Sequence, residues 1–185
     1  MREQNTKDVK KEFLTTAFDY LVKHGLENTS VRDLCKETKI SYGSIYYWFD
    51  GKDDIYINAT KYGISKVAEA LFDYAFEAMK DMKSFCDGFL DEVDKYKDEF
   101  RLILQVTSSP VYGDAIRAKA EDFNPIYEKH TTAMAKMFDR DIEDMLPMIY
   151  LLISILVDYV VWNDRASSQM QLNFLYKIFT KIPTK

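Results

Sequence analysis

Residues 30–53, SVRDLCKETKISYGSIYYWFDGKD, hold two short helical patterns separated by a few polar residues. Ser30 is a candidate N-cap, and Asp33 follows at the spacing typical of a capping box. Ser41 is a candidate N-cap for a second short helix that reaches about Phe49. Because two short helices joined by a tight turn form a helix-turn-helix, the stretch predicts this motif.

Four consecutive aromatic residues, Tyr46, Tyr47, Trp48 and Phe49, lie in the second predicted helix. Successive helical side chains turn by about 100°, so these residues sweep roughly 300° and cannot share one buried face. Ile45 and Phe49 are one helical turn apart and are expected to point inward together. The others are expected to be exposed, which suggests contact with something other than water, although a small core is the alternative.

The rest of the chain also has helical spacing. Apolar residues recur at helical intervals from Val9 to His24, and Gly25 is a typical C-terminal stop. A long amphipathic segment then runs from the DGKDD turn to about Lys80. Further helices are predicted near residues 82–96, 98–107, 111–138, 142–164 and 168–181. Strand signals are nearly absent, so the predicted fold class is all-α.

Composition allows a nucleic-acid partner for the first part of the chain only. The 185 residues are 47% hydrophobic and 30% charged, which is typical of a globular protein with one or two domains. The net charge is −5, but residues 1–52 hold nine Lys and Arg against eight Asp and Glu. Residues 53–185 hold 16 Lys and Arg against 22 Asp and Glu. The acidity therefore belongs to the second part, and phosphate binding by the first part is not excluded.

Cysteine, histidine and hydropathy patterns disfavour several protein classes. Cys35 and Cys86 are far apart and form no CxxC motif, so neither a disulfide framework nor a zinc site is expected. With only His24 and His130, and no HExxH, GxSxG or phosphate-binding Gly motif, we expect no enzyme activity, metal or cofactor. The longest apolar stretch, residues 148–162, is interrupted by polar residues and favours a buried helix over a membrane span. A cytoplasmic protein without membrane contact is expected.

The stretch FLTTAFDYLVKHGLENTSVRDLCKETKISYGSIYYWFDGKDDIY resembles the N-terminal DNA-binding domain of TetR-type bacterial transcription regulators. The resemblance covers roughly residues 7–58. It combines a first helix ending in Gly, a TSV cap, the GSIYYWF segment and a lysine shortly after Phe49. It implies a helix-turn-helix DNA-binding domain, with three helices, at residues 1–52. Residues 53–185 would then form a helical ligand-binding and dimerisation domain.

The resemblance also implies a set of DNA contacts, because the second helix of the motif enters the major groove and neighbouring residues bind phosphates. The implied DNA-binding residues are Thr29, Arg32, Lys39, Ser41, Tyr42, Gly43, Ser44, Tyr46, Tyr47, Trp48 and Lys52. For Arg32 and Lys52 the alternative is an ordinary solvated charge. Lys39 stands where the family usually has Gly, and a left-handed conformation there would cost roughly 1 kcal/mol.

The resemblance also implies that aromatic residues of the second part line an inducer cavity, with plain core packing as the alternative. The candidate pocket residues are Phe72, Phe76, Phe89, Phe100, Gln105, Phe123, Tyr127, Tyr159 and Trp162. Polar residues on apolar faces, His130, Asn124 and Asp158, are further candidates to contact a ligand. The last two helices are apolar over wide faces, and in the family they pair across a two-fold axis. The candidate dimer residues are Leu152, Ile155, Leu156, Leu172, Leu175 and Phe179.

The function expected from this resemblance is ligand-responsive transcription regulation. The leading hypothesis is a repressor that binds a palindromic operator in double-stranded DNA as a homodimer and is released by an unknown small-molecule inducer. The alternative is a DNA-bound structural or protein-interaction factor of the same fold without a small-molecule switch.

Overall fold

The computed structural model describes residues 2–78, 81–118, 121 and 124–181. These residues form ten α-helices and no strand, which confirms the all-α prediction. The helices are α1 Arg2–His24, α2 Val31–Thr38, α3 Tyr42–Trp48, α4 Lys52–Ala78, α5 Met82–Asp94, α6 Lys97–Thr107, α7 Gly113–Arg117, α8 Asn124–Phe138, α9 Ile142–Trp162 and α10 Arg165–Phe179.

The local signals in the N-terminal part act as the sequence predicts. Gly25 ends α1 with a φ of 78°, a left-handed conformation that glycine adopts without steric cost. Ser30 and Asp33 form the predicted capping box, with the Asp33 amide donating to the Ser30 hydroxyl at 3.2 Å and the Ser30 amide donating to the Asp33 carboxylate at 3.0 Å. Ser41 caps α3 by accepting from the Ser44 amide at 3.2 Å. The three caps define the predicted helix-turn-helix.

One predicted helix is wrong in extent. Residues 111–138 were expected to form a single helix, but α7 ends at Arg117 and α8 begins at Asn124. Pro125 lies in the first turn of α8, where its missing amide hydrogen breaks no helical hydrogen bond. Inside a continuous helix that began at residue 111, the same proline would remove a helical hydrogen bond, so its place favours a helix start here.

The chain folds into two compact units, and the first contains the helix-turn-helix. Unit 1 comprises the described residues of 1–66 and 98–120, so α6 and α7 join α1, α2, α3 and the first part of α4. Its core combines residues from all of these helices: Phe13, Ala17, Phe18, Leu21, Leu34, Ile45, Phe49, Ile55, Tyr56, Ala59, Leu102, Val106 and Ile116. The functional division predicted between residues 52 and 53 stays a prediction; it falls in the first turn of α4.

A glycine lets α4 approach α1 within this core. A Cβ atom built at Gly63 would lie 2.1 Å from Cε2 of the Phe18 ring. Phe18 is fully buried, so the ring has little room to move away. The close approach fixes α4 against α1 and with it the position of Lys52, the first residue of α4.

Unit 2 comprises the described residues of 67–97 and 121–185, and α10 packs against both α5 and α9. A polar cluster joins these helices. The Tyr159 hydroxyl donates to the Asp94 carboxylate at 2.8 Å, and Arg165 donates to the same carboxylate at 3.0 Å. Lys97 pairs with Asp94 at 3.2 Å and lies 3.9 Å from the centre of the Tyr159 ring. The shared carboxylate ties the start of α10 to the end of α5.

Within the described residues, α9 alone is long and apolar enough to cross a membrane, judged by length and composition. It packs against α8 and α10. Its buried side chains are Met145, Met148, Ile149, Leu152, Ile155, Leu156, Tyr159 and Val160. These contacts are those of a helix in the core of a helical domain.

Candidate nucleic-acid interface

Helix α3 turns almost all of its side chains outward. Ile45 is its only buried residue and inserts into the core of unit 1. Tyr42, Tyr46 and Tyr47 are 51%, 43% and 84% exposed, respectively. Gly43 has open space around its Cα, since an added Cβ would meet no atom within 4 Å. A helix this short buries one apolar anchor and presents the rest of its surface to a partner.

The aromatic run is divided as expected for a helix. Phe49 is buried, with its ring centre 5.5 Å from that of Phe13, and Trp48 is half-buried, with its ring centre 6.4 Å from that of Phe13. Tyr46 and Tyr47 point outward. The structure therefore confirms the inward pair formed by Ile45 and Phe49. Trp48 contributes to the core with part of its indole and keeps the rest at the surface.

Tyr42 and Tyr46 form a ring pair on the outer surface of α3, with the ring planes tilted by 38°. Their ring centres are 4.6 Å apart, and the Tyr42 hydroxyl donates to the Tyr46 hydroxyl at 3.2 Å. This hydrogen bond raises the pKa of Tyr46 above its ordinary value. The pair offers two apolar ring surfaces with a fixed relative orientation.

The two serines of α3 are exposed and already hydrogen-bonded. The Ser41 and Ser44 hydroxyl oxygens are 2.8 Å apart, and Ser41 also accepts from the Ser44 amide. Each serine therefore contributes to the cap of α3. Their remaining hydrogen-bonding capacity faces solvent.

The turn before α3 contains Lys39 in the left-handed conformation, with a φ of 57°. This confirms that the position has the geometry that favours glycine, at a cost of about 1 kcal/mol. The side chain of Lys39 is exposed, as is that of Arg32 on α2. Both cations are available beside α3.

Thr29 is not available at the surface, in contrast to the prediction. It is 2% exposed, and its hydroxyl donates to the Gly25 carbonyl at 2.7 Å. The reason is that Thr29 closes the connection between α1 and α2, while the neighbouring Ser30 is exposed and caps α2. The structure therefore contradicts the predicted contact from the Thr29 side chain to DNA.

Lys52, the first residue of α4, is exposed with its ammonium 5.1 Å from the centre of the Tyr56 ring. Tyr56 is buried, and burial raises its pKa to about 12. Its hydroxyl lies within hydrogen-bonding distance of two carbonyl oxygens, those of Leu26 at 3.0 Å and Thr29 at 2.6 Å. Tyr56 thus connects the start of α4, and with it Lys52, to the segment that leads into α2.

Sequence reasoning missed a contact from Tyr112 to this region. The Tyr112 hydroxyl donates to the Asp53 carboxylate at 3.2 Å, and its ring centre is 6.2 Å from that of Tyr56. Asp53 directly follows Lys52. Residues about 60 positions apart leave no periodic signal in the sequence, so only the fold reveals this support.

A family model described as bacterial regulatory proteins, tetR family, matches residues 13–59. Residues 13–59, about a quarter of the chain, are therefore similar to this family. The matched segment contains α2, α3 and Lys52, so the helix-turn-helix lies within the part of the chain that is similar to this family.

Two solved structures show the same fold. A proposed tetR family transcription regulator from Shewanella sp. PV-4 aligns with a TM-score of 0.54 and 14% identity, over 92% of the present chain and 95% of that chain. A proposed transcriptional regulator from Pseudomonas aeruginosa PAO1 aligns with a TM-score of 0.51 and 17% identity, over 96% of the present chain and 89% of that chain. No curated protein sequence gives a significant match.

Three of the predicted pocket residues cluster around His130 in unit 2. The Phe72 ring stacks on the imidazole with a centroid distance of 4.2 Å, and the Phe76 ring lies at 5.8 Å. Tyr127 packs edge-on against Phe72 at 6.2 Å. His130 is 5% exposed, and its Nε2 has no hydrogen-bond partner among the residues that the structure describes. Burial lowers its pKa, so the imidazole is neutral at pH 7.

The other predicted pocket residues do not join this cluster. Phe89 and Tyr159 are buried in the core of unit 2, and Trp162 is exposed. Phe100 and Gln105 belong to unit 1. Phe123 lies outside the described residues. Of the two further polar candidates, Asn124 is exposed and Asp158 accepts from Gln171 at 3.0 Å.

The predicted dimer residues lie in the interior of unit 2. All six are buried: Leu152, Ile155, Leu156, Leu172, Leu175 and Phe179. They form the contact between α9, α10 and their neighbours within one chain, so they cannot form the surface that a partner covers. The prediction for these residues is therefore corrected.

Other large apolar side chains of α9 and α10 are exposed instead. They are Ile142, Leu146, Tyr150, Leu151, Val161, Trp162, Met170 and Phe174. Leu146 and Tyr150 are one turn apart on α9, and Met170 and Phe174 are one turn apart on α10. An open groove of about 420 Å³ also lies along α9, lined by Ile153, Ser154, Val157, Asp158, Val161 and Trp162. Both helices thus carry an apolar outer stripe.

Proposed function

We propose that the regulator is a cytoplasmic repressor that binds a palindromic operator as a homodimer and is released by a small-molecule inducer. The observation that carries this proposal is the outward face of α3. One buried residue, Ile45, anchors the helix, while three tyrosines are exposed and Lys52 lies at the start of α4. A major groove admits a helix of this kind, and hydroxyl and ammonium groups beside it bind phosphates.

The exposed stripes on α9 and α10 support a homodimer. Phe174 is 64% exposed and Met170 67%, which is unfavourable for large apolar side chains in water. Because a two-fold interface brings the same patch of each chain together, these stripes would be buried by a second copy. Two copies also double the phosphate contacts of a DNA-binding unit that carries little net positive charge.

The cluster around His130 is the candidate binding site for the inducer. Ligand pockets in proteins are mostly apolar and aromatic with a few placed polar groups, and a neutral imidazole with an unpaired Nε2 beside Phe72 is such a combination. An inducer would favour a conformer whose two recognition helices no longer fit successive major grooves, and so shift the population off DNA. No catalytic residue is part of the proposal.

The test is selection of bound fragments from a random DNA pool by the purified regulator at near-physiological salt. Enrichment of one palindromic site is expected. The matched variant is Tyr47→Ala, which removes the most exposed ring of α3 and leaves the core untouched; it should enrich the site weakly or fail to enrich it. Absence of any enriched site from the folded wild-type protein would contradict the proposal. A site bound identically in the presence of every small molecule screened would favour the factor without a ligand switch.

A further inference from the structure

The chemistry of α3 limits which bases it can read. Its sequence, YGSIYYW, contains no Arg, Lys, Asn, Gln, Asp or Glu. Guanine is read most often by a bidentate Arg or Lys and adenine by a bidentate Asn or Gln. Neither kind of group is present on the helix. Direct base reading by α3 must therefore use hydroxyl groups and apolar surface.

Tyr42 and Tyr46 place two mutually packed rings on the outer surface of α3. Their rings lie 4.6 Å apart, the hydroxyl groups are joined at 3.2 Å, and both rings remain about half exposed. Gly43 beside them carries no side chain, so a groove wall can approach the backbone closely. Because the two rings hold each other in place, little side-chain entropy is lost when a partner covers them.

Thymine is the base that offers an apolar group in the major groove, its 5-methyl group. We propose that the rings of Tyr42 and Tyr46 read thymine methyl groups, so that each operator half-site carries thymine at the positions this pair covers. The inference rests on the proposed function of α3 as the recognition helix. The Tyr46 hydroxyl accepts from Tyr42, which leaves its own hydrogen to donate to thymine O4 or to a phosphate oxygen.

The test replaces thymine by deoxyuridine, which removes the methyl group and keeps every hydrogen-bonding group. Symmetric pairs of thymines in the selected operator are replaced one pair at a time, and the dissociation constant is measured by fluorescence anisotropy. Burying a methyl group stabilises by about 0.8 kcal/mol, which corresponds to about fourfold in affinity. One methyl in each half-site gives a loss of about 15-fold for a symmetric pair.

Three variants separate ring contact from other effects. The double variant Tyr42→Ala/Tyr46→Ala should bind the thymine and deoxyuridine operators equally, because the rings are gone. The double variant Tyr42→Phe/Tyr46→Phe keeps the rings and should keep the preference. Tyr47→Ala is the control on the same helix and should lose affinity for both operators by the same factor. All three residues are exposed, so the fold should persist, which circular dichroism checks.

Two results would overturn the inference. Equal affinity of the wild-type regulator for the thymine and deoxyuridine operators at every position would show that no methyl group is read. An unchanged preference in the double alanine variant would assign the reading to other residues. Failure to select any operator would instead remove the proposed function itself, so the two failures are distinguishable.

Discussion

Lys39 permits a prediction that separates backbone strain from DNA contact. Its φ of 57° places a residue with a Cβ atom in the left-handed region, where glycine avoids the steric cost. Lys39→Gly should therefore raise the free energy of unfolding by about 1 kcal/mol, which corresponds to an increase in Tm of about 2–4 °C for a chain of this size. Lys39→Ala keeps the Cβ atom and should leave the free energy of unfolding nearly unchanged.

Both variants remove the same cation beside α3. If Lys39 binds a phosphate, each half-site loses one contact, and the slope of log affinity against log salt should become shallower by about 1.8 for the dimer. The assay is thermal and urea unfolding for stability, with anisotropy titrations at several salt concentrations for binding. A Lys39→Gly protein no more stable than Lys39→Ala would refute the strain argument. An unchanged salt slope in both variants would refute the phosphate contact.

Three other predictions concern Lys52, the α10 stripe and His130. Lys52→Ala should weaken binding to operator and unrelated DNA alike and flatten the salt dependence, as measured by anisotropy, because the contact proposed for Lys52 is to phosphate and not to bases. Phe174→Asp should give a folded monomer in sedimentation, since this side chain is 64% exposed. Leu175→Asp should instead unfold unit 2, since Leu175 is 2% exposed. Lowering the pH from 7.5 to 5.5 should decrease the free energy of unfolding less for the His130→Phe variant than for the wild type, as measured by thermal unfolding.

The sign of the last prediction follows from the buried imidazole. Burial lowers the pKa of His130 in the folded chain, so the unfolded chain binds the proton first as the pH falls. The contribution of neutral His130 is complete above the unfolded pKa, near 6.5, and is lost below it. Equal pH dependence of the wild type and His130→Phe would contradict this account. A folded Phe174→Asp dimer would place the dimer interface elsewhere. An unchanged salt slope for Lys52→Ala would remove its proposed phosphate contact.

The helix-turn-helix was predictable because its signals are local. Gly25, Ser30 and Ser41 each act on backbone groups within one turn of the chain, and the inward pair of Ile45 and Phe49 follows from helical spacing alone. Such signals depend little on the rest of the fold. The predicted starts of α2 and α3 therefore agree with the structure.

The parts that failed depend on contacts between distant residues. Helix α9 is apolar on most of its circumference, so periodicity cannot tell Leu152, which is buried, from Tyr150, which is exposed. The contact between Tyr112 and Asp53 joins helices far apart in sequence and has no local signature. Thr29 was misplaced because the family pattern does not show which of two adjacent hydroxyl residues turns inward.

The most direct test of the account is site-specific photocrosslinking on the operator complex. A photoreactive phenylalanine analogue at position 47 replaces the most exposed side chain of α3, and the same analogue at position 174 lies on the stripe of α10. The account predicts a protein–DNA adduct from position 47 and a protein–protein adduct from position 174. A complex that binds the operator but gives no DNA adduct from position 47 would contradict the assignment of α3 as the recognition helix.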